Sequence, residues 1–180
     1  MYVPKKVFLT KGVGFHKEKL ASFEMALRNA KIAPYNIVEV SSILPPGCAF
    51  VSANEGVKEL TPGQILHVVL SRNATNEPNR LIGASVGVAI PKDKGMYGYL
   101  SEHHSFGENE KKTGDYAEEL AETMLTTILD VQETDSSDSD KIDRVDAIKD
   151  MIRTRNMTQT AVGHKNGLWT TVIAASVLLP

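Results

Sequence analysis

Val40-Ser41-Ser42-Ile43-Leu44-Pro45-Pro46 closes an apolar run with two hydroxyls and then two prolines. Proline fixes its own φ and has no N–H for a ladder, so a strand entering this segment cannot run on through it. A buried hydroxyl there needs a hydrogen-bond partner or a route to solvent. The chain must therefore leave its sheet sharply, at the end of a rigid element. Such a place holds the Ser41–Ser42 peptide bond in a fixed environment.

The rest of the chain supplies strands and helices around that exit. Residues 7–10 read as a strand, 16–31 as a helix with Leu20, Phe23 and Leu27 at i, i+3 and i+7, and 36–42 as a strand after Pro34. Residues 64–71 and 81–90 are β-rich; Gly83 and Gly87 with their small neighbours predict that another layer approaches the second closely. A turn at 91–95 leads to a strand over 96–103. The longest helix is expected over 113–129, with Tyr116, Leu120, Met124 and Ile128 at helical spacing and acids in its first turns. Asn166-Gly167 is a hairpin signal joining 157–162 to 169–178. With no Gly-rich phosphate loop and no strict βαβ alternation, the economical architecture is α+β. It is a layered αββα-type sandwich with mainly antiparallel sheets and two principal helices outside.

Composition narrows the function. The 180 residues, 42% hydrophobic, suffice for a single domain over 1–180, and a net charge of -2 offers no footprint for nucleic acid. The single cysteine, Cys48, excludes an intrachain disulfide and fits a reducing compartment. The apolar run at 169–179 is too short for a membrane span, and no signal-peptide core follows Met1, so a cytoplasmic protein without membrane partners is expected. Residues 132–140 read as an acidic, Ser-rich surface loop. They lack the glycine and closing glutamate of a calcium loop. The sequon Asn73-Ala74-Thr75 is incidental without a secretory route. His103 and His104, adjacent on a strand, point to opposite faces and do not make a metal site. Cys48 has no base partner and reads as an inert thiol. Lys92 and Asp93 read as shaping the turn.

Residues 36–46, with Val88-Ala89-Ile90-Pro91-Lys92-Asp93-Lys94 and Gly98-Tyr99-Leu100-Ser101-Glu102, resemble the pyruvoyl-dependent arginine decarboxylases. The resemblance runs from the first strand to the C-terminal strands, with the acidic loop as an insertion. It implies a proenzyme that cuts itself between Ser41 and Ser42, into chains 1–41 and 42–180. Ser42 Oγ would attack the Ser41 carbonyl, and residue 42 would end as a covalent pyruvoyl group, the cofactor, with no metal and no pyridoxal phosphate. It further implies a Schiff base with L-arginine, yielding agmatine and carbon dioxide, Glu102 as proton donor, Asn36 as an aid to self-cleavage, and homotrimers or dimers of trimers with sites between subunits.

The residues themselves leave alternatives beside these roles. Asn36 lies six residues before Ser42, too far along its own strand for contact at about 3.3 Å per residue; it reads equally as a strand-start residue tying down a turn. Glu24 falls at i+4 from Leu20, on the apolar stripe of the first helix. There it suits a substrate guanidinium or an ion pair with an arginine such as Arg28 or Arg80. Its match in the family carries aspartate, so glutamate bears on arginine specificity. Two other functions stay open: the same machinery on another amino acid, or an uncleaved, non-enzymatic oligomeric binding module.

Overall fold

A computed structural model describes residues 2–132, 148 and 150–180, so residues 133–140 of the expected acidic loop lie outside the described residues. In chain order the elements are β1 (Lys6–His16), α1 (Lys19–Asn29), β2 (Asn36–Glu39), β3 (Ile43–Leu44), β4 (Ala49–Phe50), α2 (Ala53–Val57), β5 (Ile65–Thr75), β6 (Leu81–Pro91), β7 (Gly98–Phe106), α3 (Glu110–Gln132), β8 (Ile152–Val162) and β9 (Trp169–Leu179). A five-stranded sheet runs β2-β5-β9-β1-β4 and a four-stranded sheet β3-β7-β6-β8. The pairs at the two edges of the larger sheet, β2 with β5 and β1 with β4, are parallel; all others are antiparallel.

The two sheets pack face to face, with α1 and α2 outside the larger and α3 outside the smaller. This is the α+β sandwich that the patterning predicts. The middle strand β9 explains the layering, because it is buried from Thr170 to Leu179. Its Ile173, Ala175, Val177 and Leu179 meet Phe8, Ala26, Leu66 and Val68 beneath α1. Its Ala174 and Leu178 point the other way and meet Val69, Val86, Val88 and Leu100 between the sheets. A strand covered on both faces has no polar side, which is why 169–179 shows no alternation and carries no charge, its Thr170, Thr171 and Ser176 being buried with the rest.

The helices sit close because the strands beneath them are bare. A Cβ on Gly87 would lie 2.0 Å from the Ala117 carbonyl oxygen of α3, and one on Gly14 would lie 2.1 Å from that of Ser22 in α1. The close layer expected over Gly83 and Gly87 is therefore α3. Where the helices come nearest the strands they turn small residues inward, Ser22 and Ala26 in α1 and Ala117 and Ala121 in α3, with Leu125 buried further along α3. This corrects the expected faces in part: Leu20 is 79% exposed and Tyr116 47%, while Phe23 and Leu27 pack against the core as expected. Larger side chains on those faces would hold the helices off the sheet.

Asn166-Gly167 is a tight turn, with Gly167 N–H donating to the His164 carbonyl at 2.9 Å, but it does not make a hairpin. The strands it joins lie in different sheets, β8 beside β6 and β9 between β1 and β5. The turn carries the chain from one layer to the other. Among the described residues, no helix is long and apolar enough to cross a membrane.

Candidate active site

The strand expected over 36–42 ends earlier, and the reason lies in where its last groups pair. β2 runs beside β5 from Asn36 opposite Ile65 to Glu39 opposite Val68, and Val40 N–H still donates to the Val68 carbonyl at 2.9 Å. The next pairing belongs to the other sheet: Leu100 N–H of β7 donates to the Ser42 carbonyl at 2.7 Å, followed by Ile43 opposite Tyr99 and Leu44 opposite Gly98. Both β2 and β3 are edge strands. The Ser41–Ser42 peptide is thus the bridge between two sheet edges.

The bridge is bent but held. Ile43 N–H donates to the Ser41 carbonyl at 3.0 Å, closing a three-residue turn centred on Ser42. Pro45 then ends β3, and Cys48 N–H closes a turn on the Pro45 carbonyl at 3.2 Å. Ser41 is exposed and Ser42 half-buried. Both carbonyls of the pair accept backbone hydrogen bonds, whereas neither hydroxyl has a partner among the described residues. A hydroxyl without a competing partner, beside a carbonyl held in place, is the arrangement that an intramolecular acyl shift requires.

Glu102 lies two residues along β7 from Leu100, opposite Val86 of β6. Even-numbered residues of this strand face the layer between the sheets, where Leu100 is core. Glu102 sits where that layer opens to solvent. Desolvation pushes its carboxyl above the usual carboxylate range, and the negative charge of Glu39 adds to the rise. A raised carboxyl keeps its proton closer to neutrality, as a general acid needs. Odd-numbered residues face α3: Ser101 Oγ donates to the Ala117 carbonyl at 2.5 Å, and the His103 ring lies 4.4 Å from that of Tyr116. His103 and His104 accordingly diverge, the second lining a groove with Phe23, Arg72 and Phe106.

The other two candidates lie elsewhere in the chain. Asn36 Nδ2 donates to the Gly63 carbonyl at 2.7 Å, and its N–H to that of Gln64 at 2.9 Å, tying the start of β2 to the turn before β5. Glu24 is not on the buried stripe of α1 but at its flank. Its Oε1 takes a hydrogen bond from Arg28 Nε at 2.5 Å, and its side chain is 44% exposed. With Arg28, Lys31, Pro34, Tyr35 and Val57 it lines a groove of about 540 Å³. A single chain therefore gathers Ser41, Ser42, Glu39 and Glu102 at one place, and Glu24 with the Tyr35–Asn36 corner at another.

Behind the bridge, Leu44, Pro45, Cys48, Lys92, Lys94 and Arg153 line a cavity of about 580 Å³. Burial pushes the Cys48 thiol up to about 11, so it stays protonated, in keeping with an inert thiol. Asp93 Oδ1 accepts from Gly95 N–H at 2.8 Å and shapes the turn before β7. The donors that sequence reasoning missed, the N–H groups of Ile43 and Leu100, are backbone and carry no side-chain signal. Glu39 was visible only as one of many acids.

Comparison with known proteins identifies the family. The family model for pyruvoyl-dependent arginine decarboxylase matches residues 6–180. A probable pyruvoyl-dependent arginine decarboxylase of Chlorobium phaeovibrioides is 57% identical over 99% of both chains. That of Chloroherpeton thalassium is 53% identical over 99% of both. Pyruvoyl-dependent arginine decarboxylase 2 of Methanosarcina acetivorans is 52% identical over 98% of this chain and 97% of its own. A match of this length covers both sheets, all three helices and the serine bridge, and the chain belongs to the pyruvoyl-dependent arginine decarboxylase family.

Proposed function

We propose that this chain is a self-processing decarboxylase converting L-arginine to agmatine and carbon dioxide. The observation that carries the reading is the Ser41–Ser42 bridge, with both carbonyls held and both hydroxyls unpartnered among the described residues. Ser42 Oγ adds to the Ser41 carbonyl carbon and the bond from that carbon to the Ser42 nitrogen breaks, turning the amide into an ester with a free amine on residue 42. Loss of the Ser42 α-proton expels the Ser41 carboxylate, releasing chain 1–41. Water then replaces the residue 42 nitrogen, which leaves as ammonia. A pyruvoyl group at position 42 supplies a ketone that condenses with the substrate α-amine as a Schiff base and takes up the electron pair left by carbon dioxide.

The chain's own groups divide the remaining work. Leu100 N–H keeps the retained carbonyl of residue 42 anchored to β7. Glu102, its carboxyl raised above the ordinary range by desolvation and by Glu39, gives its proton to the former α-carbon of the substrate. Glu24 receives the guanidinium. A second copy supplies Glu24 and Asn36 to the bridge of the first, because within one chain they stand at the opposite end of β2. Val38 of β2, Ile43 of β3 and Ile65 at the start of β5, exposed by 42%, 41% and 60%, give such a neighbour apolar surface to cover. Trimers or pairs of trimers satisfy this sharing. The Glu24–Arg28 pair favours one second reading, the same machinery acting on an amino acid other than arginine, since the carboxylate already has a cation.

Intact mass spectrometry of the purified protein tests the proposal. Two chains broken after Ser41, the larger carrying a pyruvoyl mass, are expected. Ser42→Ala should fold and remain one chain; cutting at the same bond in that variant would overturn the mechanism. Carbon dioxide release from arginine, lysine and ornithine decides the substrate. Faster turnover of lysine or ornithine would remove Glu24 from its role.

A further inference from the structure

We infer that the backbone N–H of Ile43 is the oxyanion donor for the self-cleavage step. The inference rests on the proposed cut at Ser41–Ser42 but concerns a group to which that reading gives no task. The Ser41 carbonyl oxygen is the atom on which negative charge would develop, and it already accepts the Ile43 N–H at 3.0 Å. Beyond the last β2 pairing, at Val40, that carbonyl would otherwise face water, which must reorient as charge grows. A donor fixed in advance needs no reorientation, and this is where most of its catalytic value lies.

The donor is fixed from both sides. Leu100 N–H ties the Ser42 carbonyl to β7 at 2.7 Å, and Ile43 itself stands in register with Tyr99. Ile43 N–H therefore cannot swing away without unpairing β3. The attacking hydroxyl belongs to Ser42, the central residue of the same turn. As the Oγ–C bond forms, the carbonyl electron pair moves onto the Ser41 oxygen, against the Ile43 N–H. Collapse of that oxyanion breaks the bond to the Ser42 nitrogen, which takes the proton lost by the hydroxyl. The step is an isomerisation, and no further reactant enters. One turn thus presents nucleophile, carbonyl and donor in one covalent frame.

Deleting the N–H while keeping the shape provides the test. The full chain is made with the α-hydroxy analogue of isoleucine at position 43, so that an ester oxygen replaces that nitrogen. Cleavage is followed by mass spectrometry beside wild type, Ile43→Val and Ser42→Ala. Cutting slowed about a hundredfold or more is expected for the ester chain, the usual effect of losing one such donor. Ile43→Val, which keeps the N–H, should cut within about twofold of wild type. An ester chain that cuts at the wild-type rate, while Ser42→Ala stays whole, overturns the inference and leaves the proposed function standing. If Ser42→Ala is cut, the reading beneath it falls instead. A second measurement does not depend on the folding of the ester chain. In uncut Ser42→Ala, labelled at the Ser41 carbonyl carbon and the Ile43 nitrogen, a through-hydrogen-bond coupling between them is expected; its absence overturns the inference.

Discussion

Gly14→Ala should loosen the fold and blunt the site together, because α1 rests on that glycine and also carries Glu24. The added Cβ would lie 2.1 Å from the Ser22 carbonyl oxygen, 2.5 Å from Ala26 N and 2.8 Å from Met25 Cβ. Two of these are backbone atoms that no rotamer change moves. Ordinary contact begins near 3.4 Å, so α1 must rise from β1 by about 1 Å, and overpacking of this kind costs about 1–3 kcal/mol. The rise also stretches the buried Ser22 Oγ–Thr171 Oγ1 hydrogen bond of 2.7 Å, worth about 1 kcal/mol. A loss of about 2–4 kcal/mol lowers Tm by about 4–16 °C in a domain of this size. Glu24 rides the displaced turn, and a misplacement of about 1 Å can cost about a hundredfold in kcat/KM. Scanning calorimetry and carbon dioxide release from arginine measure the two effects. Gly63→Ala is the control: Gly63 has φ +85 with nothing within 4 Å of an added Cβ, so only backbone strain of about 1 kcal/mol is expected. A Gly14→Ala protein with the melting point and kcat/KM of wild type would refute both the packing argument and the placement of Glu24.

Glu102→Gln should abolish arginine turnover while leaving self-cleavage intact. The same change should raise Tm at pH 7. A carboxyl held above its ordinary range favours the folded state when protonated and loses that contribution as pH rises through the raised value, so the gain should vanish in acid. Glu39→Gln removes the neighbouring charge and should move the alkaline fall of kcat toward lower pH, read from a pH–rate profile. Glu24→Gln should raise KM for arginine by about ten- to a hundredfold with kcat little changed. Arg28→Leu should lower KM by about twofold, because exposed pairs of this spacing are weak. With its thiol raised from 9.0 to about 11, Cys48 should react with a disulfide reagent at pH 8 about a hundredfold more slowly than after unfolding.

Much of this molecule was readable in its sequence, and the misreadings share a cause. The double proline and the serine pair announced a sharp exit, and the exit is there. That it leads from one sheet to the other depended on Leu100, distant in sequence, offering the next N–H to the Ser42 carbonyl. Asn166-Gly167 has the chemistry of a tight turn wherever it occurs, but which strands flank it is decided by what covers β9 on both faces. The helix faces were misjudged in part: Phe23 and Leu27 do pack against the core, but Leu20 and Tyr116 were taken as inward, whereas Gly12, Gly14 and Gly87 leave room for backbone and demand small residues opposite. Glu24 illustrates the result: one position of rotation moved it from the stripe to the flank, beside Arg28. Asn36 and Glu102 were found through resemblance; the distance of Asn36 from Ser42 already followed from strand spacing, but the closeness of Glu102 emerged only from strand register.

The place of the bridge in the weave also governs what a cut would do to the protein afterwards. Upstream of Ser42 lie β1, α1 and β2, and β1 is paired along its whole length with β9 on one side and, at Lys6 and Val7, with β4 on the other. Breaking the bridge therefore frees no element, and the short fragment stays knitted into the larger sheet. The loss is of memory rather than of stability. A chain that folds as one molecule, once severed, must find its partner again after melting, so heat inactivation becomes dependent on protein concentration. Cooling would restore the uncut Ser42→Ala chain far more readily than the mature protein. Maturation would then be a one-way passage, with the fold assembled only from the precursor.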